Sequence, residues 1–261
     1  MATVENKSME LGWRVYGLGL IALGLVGLTW GDFISGQPVP KWFPERATLA
    51  YVAALFMLVA GAAIEWRRTT AWVAAALTAY YTLIVLLVMN GRVILANYAV
   101  FGAYSGAAEP LAIAAGAAIV YAASANIDAA RAALITRIAR IAFGLCAVLF
   151  GLAHFVDMNY TAPLVPTWLP PSQEFWGYAT GVFHIAGGLA ILTGVQARLA
   201  AILLAVMYAS FVPLVFVPVL LADPHSAFRW TECATTIALI GVTWVIADSL
   251  KGSAPSPGTA G

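Results

Sequence analysis

The chain has 261 residues, of which 62% are hydrophobic and only 10% charged, and its net charge at pH 7 is +1. Soluble domains carry about 25% charged residues, so this composition is typical of a membrane protein. The near-neutral charge argues against nucleic acid as a partner. Cys146 and Cys233 lie in apolar runs without a CxxC spacing, which indicates buried small side chains rather than a disulfide framework or a zinc site.

Eight apolar segments are long enough to cross a bilayer, which needs about 20 residues per helix. No clear cleavage site for a signal peptide accompanies the first segment, so we expect that segment to be retained. The loops between segments are short, which favours antiparallel packing of neighbouring helices. The predicted spans are 13–34, 48–65, 71–89, 108–124, 138–156, 174–193, 199–221 and 231–248.

Basic residues are distributed unequally between the two sets of loops. Nine lie on the side of both termini, namely Lys7, Arg14, Arg67, Arg68, Arg131, Arg137, Arg140, Arg198 and Lys251. The opposite side has four, namely Lys41, Arg46, Arg92 and Arg229. Because cytoplasmic loops carry an excess of lysine and arginine, we predict a multi-pass protein of the inner (cytoplasmic) membrane with both termini in the cytoplasm.

An internal repeat relates the two halves of the chain. PVPKWFP (38–44) is repeated as LVPTWLP (164–170), and LAYVAALFMLVAGAAI (49–64) is repeated as WGYATGVFHIAGGLAI (176–191). Each half has four spans and enters the membrane from the same side, so the copies are parallel repeats. The predicted fold is therefore all-α, with eight transmembrane helices in two tandem parallel four-helix bundles placed side by side.

This repeat divides the chain into five parts. They are a cytoplasmic segment (1–12), a first four-helix unit (13–124), a cytoplasmic linker (125–137), a second four-helix unit (138–248) and a flexible tail (249–261).

Two histidines distinguish the second unit from the first. His184 corresponds to Met57, and His154 to Trp30 or a neighbour. Helical spacing puts His154 on one face with Gly144, Ala147 and Gly151, and His184 on one face with Gly177, Gly181 and Gly188. Small residues let helices approach closely in lipid, so both histidines should point into the bundle. Ionisable groups inside a span are costly, which makes these two candidates for chemistry.

Depth and charge complete the predicted site. His184 is ten residues into its span, roughly 15 Å from the outer end, whereas His154 and Glu232 should lie nearer the outer surface. The alternative to a chemical role is a structural one. Glu232 and Glu109 each open a predicted span, where the helix dipole favours a carboxylate, and Thr231 can serve as the N-cap of the helix that contains Glu232. His184 can likewise hydrogen-bond Thr180 or a carbonyl on a neighbouring helix, and His154 can extend to the interface.

Glycine and aromatic residues around His184 suggest a ligand slot, formed by Gly181, Gly188, Trp168, Trp176 and Tyr178. Prolines on both sides of Trp168 should hold it over the mouth of this slot, although an aromatic belt at the membrane boundary also explains the tryptophans. The sequence contains no HxxxH or ExxH pair, so no di-iron or other metal site is predicted. Bis-histidine haem needs two imidazoles at similar depth, which His154 and His184 satisfy only if the end of the helix that carries His154 dips inward, so haem is not expected.

Several of these motifs resemble the DoxX-like membrane proteins. The resemblance rests on FGLAHF (150–155), LVPTWLPP (164–171), FHIAGGLAILTG (183–194) and the basic turn at Arg198, and it extends over 138–248 and, more weakly, over 13–124. It implies tandem four-helix units and a membrane subunit of a redox system, quinone-linked in some members. The chain lacks a cysteine pair placed for thiol exchange.

Two functions of different kinds are open at this point. In the first, the chain is a redox-associated subunit that binds quinone at His184, with His154 and Glu232 exchanging protons with the outside, since imidazole titrates near neutral pH. In the second, it is a non-catalytic assembly protein that docks a periplasmic or membrane partner enzyme. A small-solute transporter ranks third, because the polar residues are all predicted within one repeat.

Overall fold

A computed structural model describes residues 2–251, with side chains from Leu11 onward. Within this range the chain is all-helical, and eight helices are long and apolar enough to cross a membrane, as predicted. They are labelled α1 to α8 and run over Ala2–Trp30, Arg46–Ala63, Thr70–Ala96, Phe101–Ser124, Ala129–Val156, Gln173–Thr193, Ala197–Ala222 and Ala227–Ser249. The predictions for Met1, for the side chain of Lys7 and for the tail after Lys251 lie outside the described residues.

Side-chain caps mark the starts of α5 and α8. Asp128 caps α5 by accepting a hydrogen bond from the Arg131 amide (2.9 Å), so helix already begins inside the segment predicted as linker. Ser226 caps α8 in the same way, upstream of the predicted N-cap Thr231. A side-chain cap bonds the free amides in the first turn of a helix. Both of these helices therefore start at their cap, several residues before the apolar segment that the sequence predicted as the span.

Two helices contain π-helical turns at matching positions of the repeat. In α3 these turns cover Tyr80–Asn90, and in α7 they cover Val212–Phe216. The side-chain amide of Asn90 donates to the carbonyl oxygen of Val85 (2.9 Å), and Pro213 has no amide hydrogen to donate. Both segments therefore depart from regular α-helix where backbone bonding is locally altered.

The two four-helix units interlock. Within each unit the first helix packs on the second and the third on the fourth, so that α1 contacts α2 and α5 contacts α6. The first helix of each unit also packs on the last helix of the other: α1 lies against α8, and α5 against α4. Because α4 and α8 also contact each other, one hydrophobic core runs through both units.

The repeat is preserved in the helix crossings. Gly24 of α1 lies against the backbone of Leu58 in α2, and Gly151 of α5 lies against the backbone of Ile185 in α6, at equivalent positions of the two units. Gly188, the counterpart of Gly61, faces the Gly144 carbonyl. These contacts confirm that small residues bring α5 and α6 together along the face that carries both histidines.

The bundle has two chemically different ends. The end where odd-numbered helices begin and even-numbered helices finish carries Arg14, Arg67, Arg68, Arg131, Arg198 and Lys251, and we call it the basic end. The opposite end carries the long loops 31–45 and 157–172. We call it the site end, because the predicted histidines lie towards it.

Candidate functional site

A cavity of about 500 Å³ lies at the site end, between α4 of the first unit and all four helices of the second. Four phenylalanines line it, and its ionisable side chains are Glu109, His154, Asp157, His184, Tyr208 and Glu232. The structure thus brings His154, His184 and Glu232 into one cavity, as the sequence predicted. We call it the site cavity.

The two imidazoles are direct neighbours, with ring centroids 5.1 Å apart. Nδ1 of His154 lies 2.9 Å from the Phe150 carbonyl oxygen, and Nδ1 of His184 lies 3.0 Å from the Thr180 carbonyl oxygen, each one turn earlier in the same helix. A carbonyl can only accept, so each Nδ1 carries the proton and each Nε2 of the neutral ring is an acceptor. Thr180 is thus the partner of His184, as the structural alternative predicted, but it lies one turn earlier in the same helix and not on a neighbouring one.

His184 is the more buried of the two histidines, but its ring lies close to that of His154 despite their different positions along the helices. His154 is in the last turn of α5, whereas His184 is in the middle of α6, yet their rings are adjacent. The reason is that α6 begins roughly two turns outside the end of α5. The short helix Met158–Thr161 covers this protruding part, with the Met158 sulfur beside Gly177.

Tyr208 of α7 extends the polar group. It is 3% exposed, its ring centroid lies 5.4 Å from that of His184, and its hydroxyl has no hydrogen-bond partner. Glu109 of the first unit lines the same cavity. A buried hydroxyl without a partner costs free energy, so Tyr208 marks a point where a ligand group would be stabilised.

Glu109 and Glu232 close the group on the side of the first unit. The two carboxyl groups line the same cavity, and Oε1 of Glu232 accepts a hydrogen bond from the Ser35 hydroxyl at 3.2 Å. Both are half-buried and lie beyond the first helical turn, because α4 begins at Phe101 and α8 at Ala227. The helix-start explanation of these carboxylates is therefore wrong.

The predicted ligand slot around His184 is only partly present. Gly181 and Gly188 lie in the contact between α5 and α6 rather than on the cavity wall. Trp168 is 68% exposed and does not line the cavity. The Trp176 indole donates to the Pro170 carbonyl (2.8 Å), and Tyr178 packs on the outer face. Trp168 lies in the loop before α6, and Tyr178 packs on Phe155 of α5 with ring centroids 5.5 Å apart, so neither side chain reaches the cavity.

The first unit fills the corresponding position with its own side chains. The sulfur of Met57, the counterpart of His184, accepts from the Tyr81 hydroxyl at 3.3 Å and from the Gln37 amide at 3.6 Å. The same amide donates to the Tyr80 hydroxyl. Tyr81 and Met57 thus repeat, in the first unit, the arrangement of Tyr208 and His184 without an ionisable imidazole.

Sequence reasoning missed Tyr208, Ser35 and the contribution of Glu109. The signal for Tyr208 was its repeat partner, since Tyr81 aligns with it in the same register that aligns Met57 with His184. The expectation that the polar residues lie within one repeat is wrong, because Ser35 and Glu109 of the first unit line the cavity with Glu232. Tertiary packing of α4 against α5 and α8 brings them there.

The histidines and carboxylates do not form a metal-ligand set of the usual kind. Among the described residues, no group of three or more histidine, cysteine, aspartate or glutamate side chains is close enough to hold a metal ion.

Comparison with known families matches residues 143–245 to a family described as a domain of unknown function, DUF8561. This stretch runs from the middle of α5 to near the end of α8, so it covers the second unit, which holds both histidines, and none of the first. No curated protein and no solved structure matches the chain.

Proposed function

We propose that this chain is a DoxX-like, redox-associated membrane subunit that binds a quinol in the site cavity and accepts its protons. The observation that carries the proposal is the imidazole pair, whose Nε2 atoms are acceptors in an otherwise mostly apolar cavity. Ligand cavities commonly measure roughly 300–1,000 Å³ and combine an apolar wall with a few polar groups. Acceptors of this kind suit the hydroxyls of a quinol better than the carbonyls of a quinone.

The residues have distinct roles in this proposal. Nε2 of His184 accepts a hydroxyl proton, and the phenol of Tyr208 gains the hydrogen-bond partner that it lacks. Glu109 and Glu232 receive protons on the side of Ser35, at the site end. A bound quinol supplies two electrons and two protons, and the electrons pass to a haem- or metal-containing partner protein. The basic end faces the cytoplasm of a cytoplasmic membrane, in keeping with the excess of lysine and arginine there.

The test is retention of quinol by the full chain in mild detergent. Wild-type protein should retain a short-chain benzoquinol, and His184→Ala should lose it. His225→Ala is the matched control, because the His225 side chain does not line the cavity. The Trp30 indole donates to the backbone carbonyl of His225, which the substitution leaves in place. Wild-type retention in His184→Ala contradicts the proposal. If the protein retains no quinol, but a stoichiometric protein partner stays bound when His154 and His184 are both replaced, the docking function is favoured instead.

Transport of an organic cation is the second candidate. The cavity lies between the two repeats, where transporter sites commonly occur, and α7 is π-helical at the cavity wall. Its described lining contains Glu109, Asp157 and Glu232 with four phenylalanines but no lysine or arginine. Carboxylates and aromatic faces attract organic cations. Uptake of tetraphenylphosphonium by protein in liposomes, lost in Glu232→Gln, would establish this function; no uptake would dismiss it.

A further inference from the structure

A second cavity extends towards the basic end from the level of the bundle at which the site cavity ends. It is a groove of about 350 Å³ between α7 and α8. Ile202, Val206 and Ile240 contribute its apolar wall, and Ala205 and Ala209 leave space along its floor. Ile202 and Val206 are exposed on the outside of the bundle, so the groove opens towards lipid.

The length of the groove matches one leaflet. Its lining on α7 extends from Arg198 to Ala209, roughly 16 Å at 1.5 Å per residue. This is about half of a 30 Å hydrocarbon core. An acyl chain that enters at the basic end therefore fits along the groove to the middle of the bilayer.

The rim of the groove is charged, with Arg198, Lys251 and Asp248 lining it together. One carboxylate oxygen of Asp248 pairs with the Lys251 ammonium, whereas Oδ2 is buried without a hydrogen-bond partner. Two cations and one carboxylate give the rim a net positive charge, which suits a phosphate. The unpartnered oxygen needs a donor, because a buried acceptor without one is costly.

We propose that this groove binds phosphatidylglycerol, with the acyl chain between α7 and α8, the phosphate at Arg198 and Lys251, and a glycerol hydroxyl donating to Asp248. Basic pockets between helices at the cytoplasmic side commonly hold anionic lipid headgroups. Phosphatidylcholine has the same chains but neither net charge nor a donor. The tail 252–261 contains no apolar residue larger than proline, so it is a poor occupant for this groove.

The test compares two lipids of identical acyl chains on the full chain purified in detergent, with bound lipid counted by native mass spectrometry. Phosphatidylglycerol should bind roughly tenfold more tightly than phosphatidylcholine, as expected for a charge-assisted hydrogen bond. The double variant Arg198→Gln, Lys251→Gln should lose most of this preference, because only the glycerol hydroxyl that donates to Asp248 still distinguishes the two lipids. Arg131→Gln is the matched control, since its ion pair with Asp128 lies elsewhere at the basic end.

A second variant keeps the proposal testable if the charge variant fails to fold. Ala205→Phe fills the groove and leaves Arg198 and Lys251 in place, so it should lose phosphatidylglycerol binding. Equal binding of both lipids by wild type, or unchanged preference in either variant, would overturn the proposal. If soluble glycerophosphoglycerol at equal concentration displaced phosphatidylglycerol, the proposed binding of the acyl chain in the groove would be overturned. His184→Ala should bind phosphatidylglycerol normally, which separates this result from the quinol proposal.

Discussion

At the scale of single residues, two buried tyrosines have opposite hydrogen-bond situations. The Tyr16 hydroxyl donates to the Ile113 carbonyl oxygen at 3.0 Å and so ties α1 to α4. The Tyr208 hydroxyl is equally buried, lines the site cavity and has no partner. A hydroxyl that is kept buried without a partner does not stabilise the fold, so its value to the protein lies in what it contacts in the cavity.

The substitution Tyr208→Phe separates these roles. We expect its free energy of unfolding to stay the same or to rise by about 1 kcal/mol, because an unsatisfied donor is removed. Quinol retention should fall at the same time. Tyr16→Phe is the comparison and should lose about 1 kcal/mol, since it breaks a satisfied bond. Thermal unfolding and quinol content of both variants in detergent check the pair; a large loss of stability in Tyr208→Phe would show that its hydroxyl has a structural partner.

Glu65 in the turn between α2 and α3 gives a prediction with a pH dependence. Burial raises the pKa of this carboxyl group, and Arg14, 4.0 Å away, lowers it by a smaller effect. One of its oxygens is buried without a hydrogen-bond partner. The folded state therefore favours the protonated form, and the fold loses stability as pH rises from the unfolded pKa through the raised folded pKa.

We expect Glu65→Gln to raise the thermal midpoint at pH 8 and to leave it unchanged at pH 4, where the carboxyl group is already neutral. The variant also loses the ion pair with Arg14, but this loss reduces the gain in thermal midpoint only slightly, because Arg14 is half exposed. Glu45→Gln, at an exposed loop position, is the control and should shift the midpoint little at either pH. A lower midpoint for Glu65→Gln at pH 8 would mean that the Arg14 pair outweighs burial.

At the scale of helices, glycines set how closely pairs approach. A Cβ atom on Gly241 of α8 would lie 2.3 Å from the backbone nitrogen of Tyr16 in α1, and one on Gly19 would lie 2.4 Å from that of Ala238. Backbone cannot give way as a flexible side chain can. This crossing joins the first helix of one unit to the last helix of the other, so its closeness holds the units together.

Gly241→Ala should therefore destabilise the protein by about 1–3 kcal/mol, the usual cost of overpacking. Gly91→Ala is the matched control, because its nearest neighbour would be 3.5 Å away, at ordinary contact distance. The control should be neutral or slightly stabilising, since alanine favours helix. Thermal midpoints in detergent measure both changes, and equal midpoints for the two variants would contradict the close crossing of α1 and α8.

At the scale of the whole molecule, the interlocked arrangement makes the two units dependent on each other. The core helices α4 and α8 each contact helices of both units, and α1 and α5 pack across the boundary. Each unit alone would expose the faces of these helices that the other covers. The site cavity also needs both units, because Glu109 and Ser35 come from the first and the histidines from the second.

A chain divided in the short connection 125–128 tests this dependence. We expect the half that contains residues 129–251 to be degraded when it is produced alone and to accumulate when the half with residues 1–124 is produced with it. Co-purification of the two halves and quinol retention by the pair are the measurements. A second half that is stable and monodisperse on its own would contradict the shared core.

The sequence by itself determined the number of helices, their membrane character and the repeat. A bilayer forces each span to satisfy its own backbone hydrogen bonds, so hydrophobic length alone reveals a helix. Placement of His154 and His184 on small-residue faces was equally readable, because helical periodicity fixes which side chains share a face. The close contact of α5 with α6 followed from the same pattern.

Only the tertiary structure decided which helices meet across the repeat and how far one protrudes past another. Packing in lipid depends on the fit of small residues between backbones, such as Gly241 against Tyr16, and hydropathy does not report this fit. For that reason the sequence did not show that the His154 ring lies beside that of His184, and it assigned the polar residues to one unit. The packing of α7 on α6 placed Tyr208 beside His184, and the packing of α4 on α5 and α8 placed Glu109 on the wall of the same cavity.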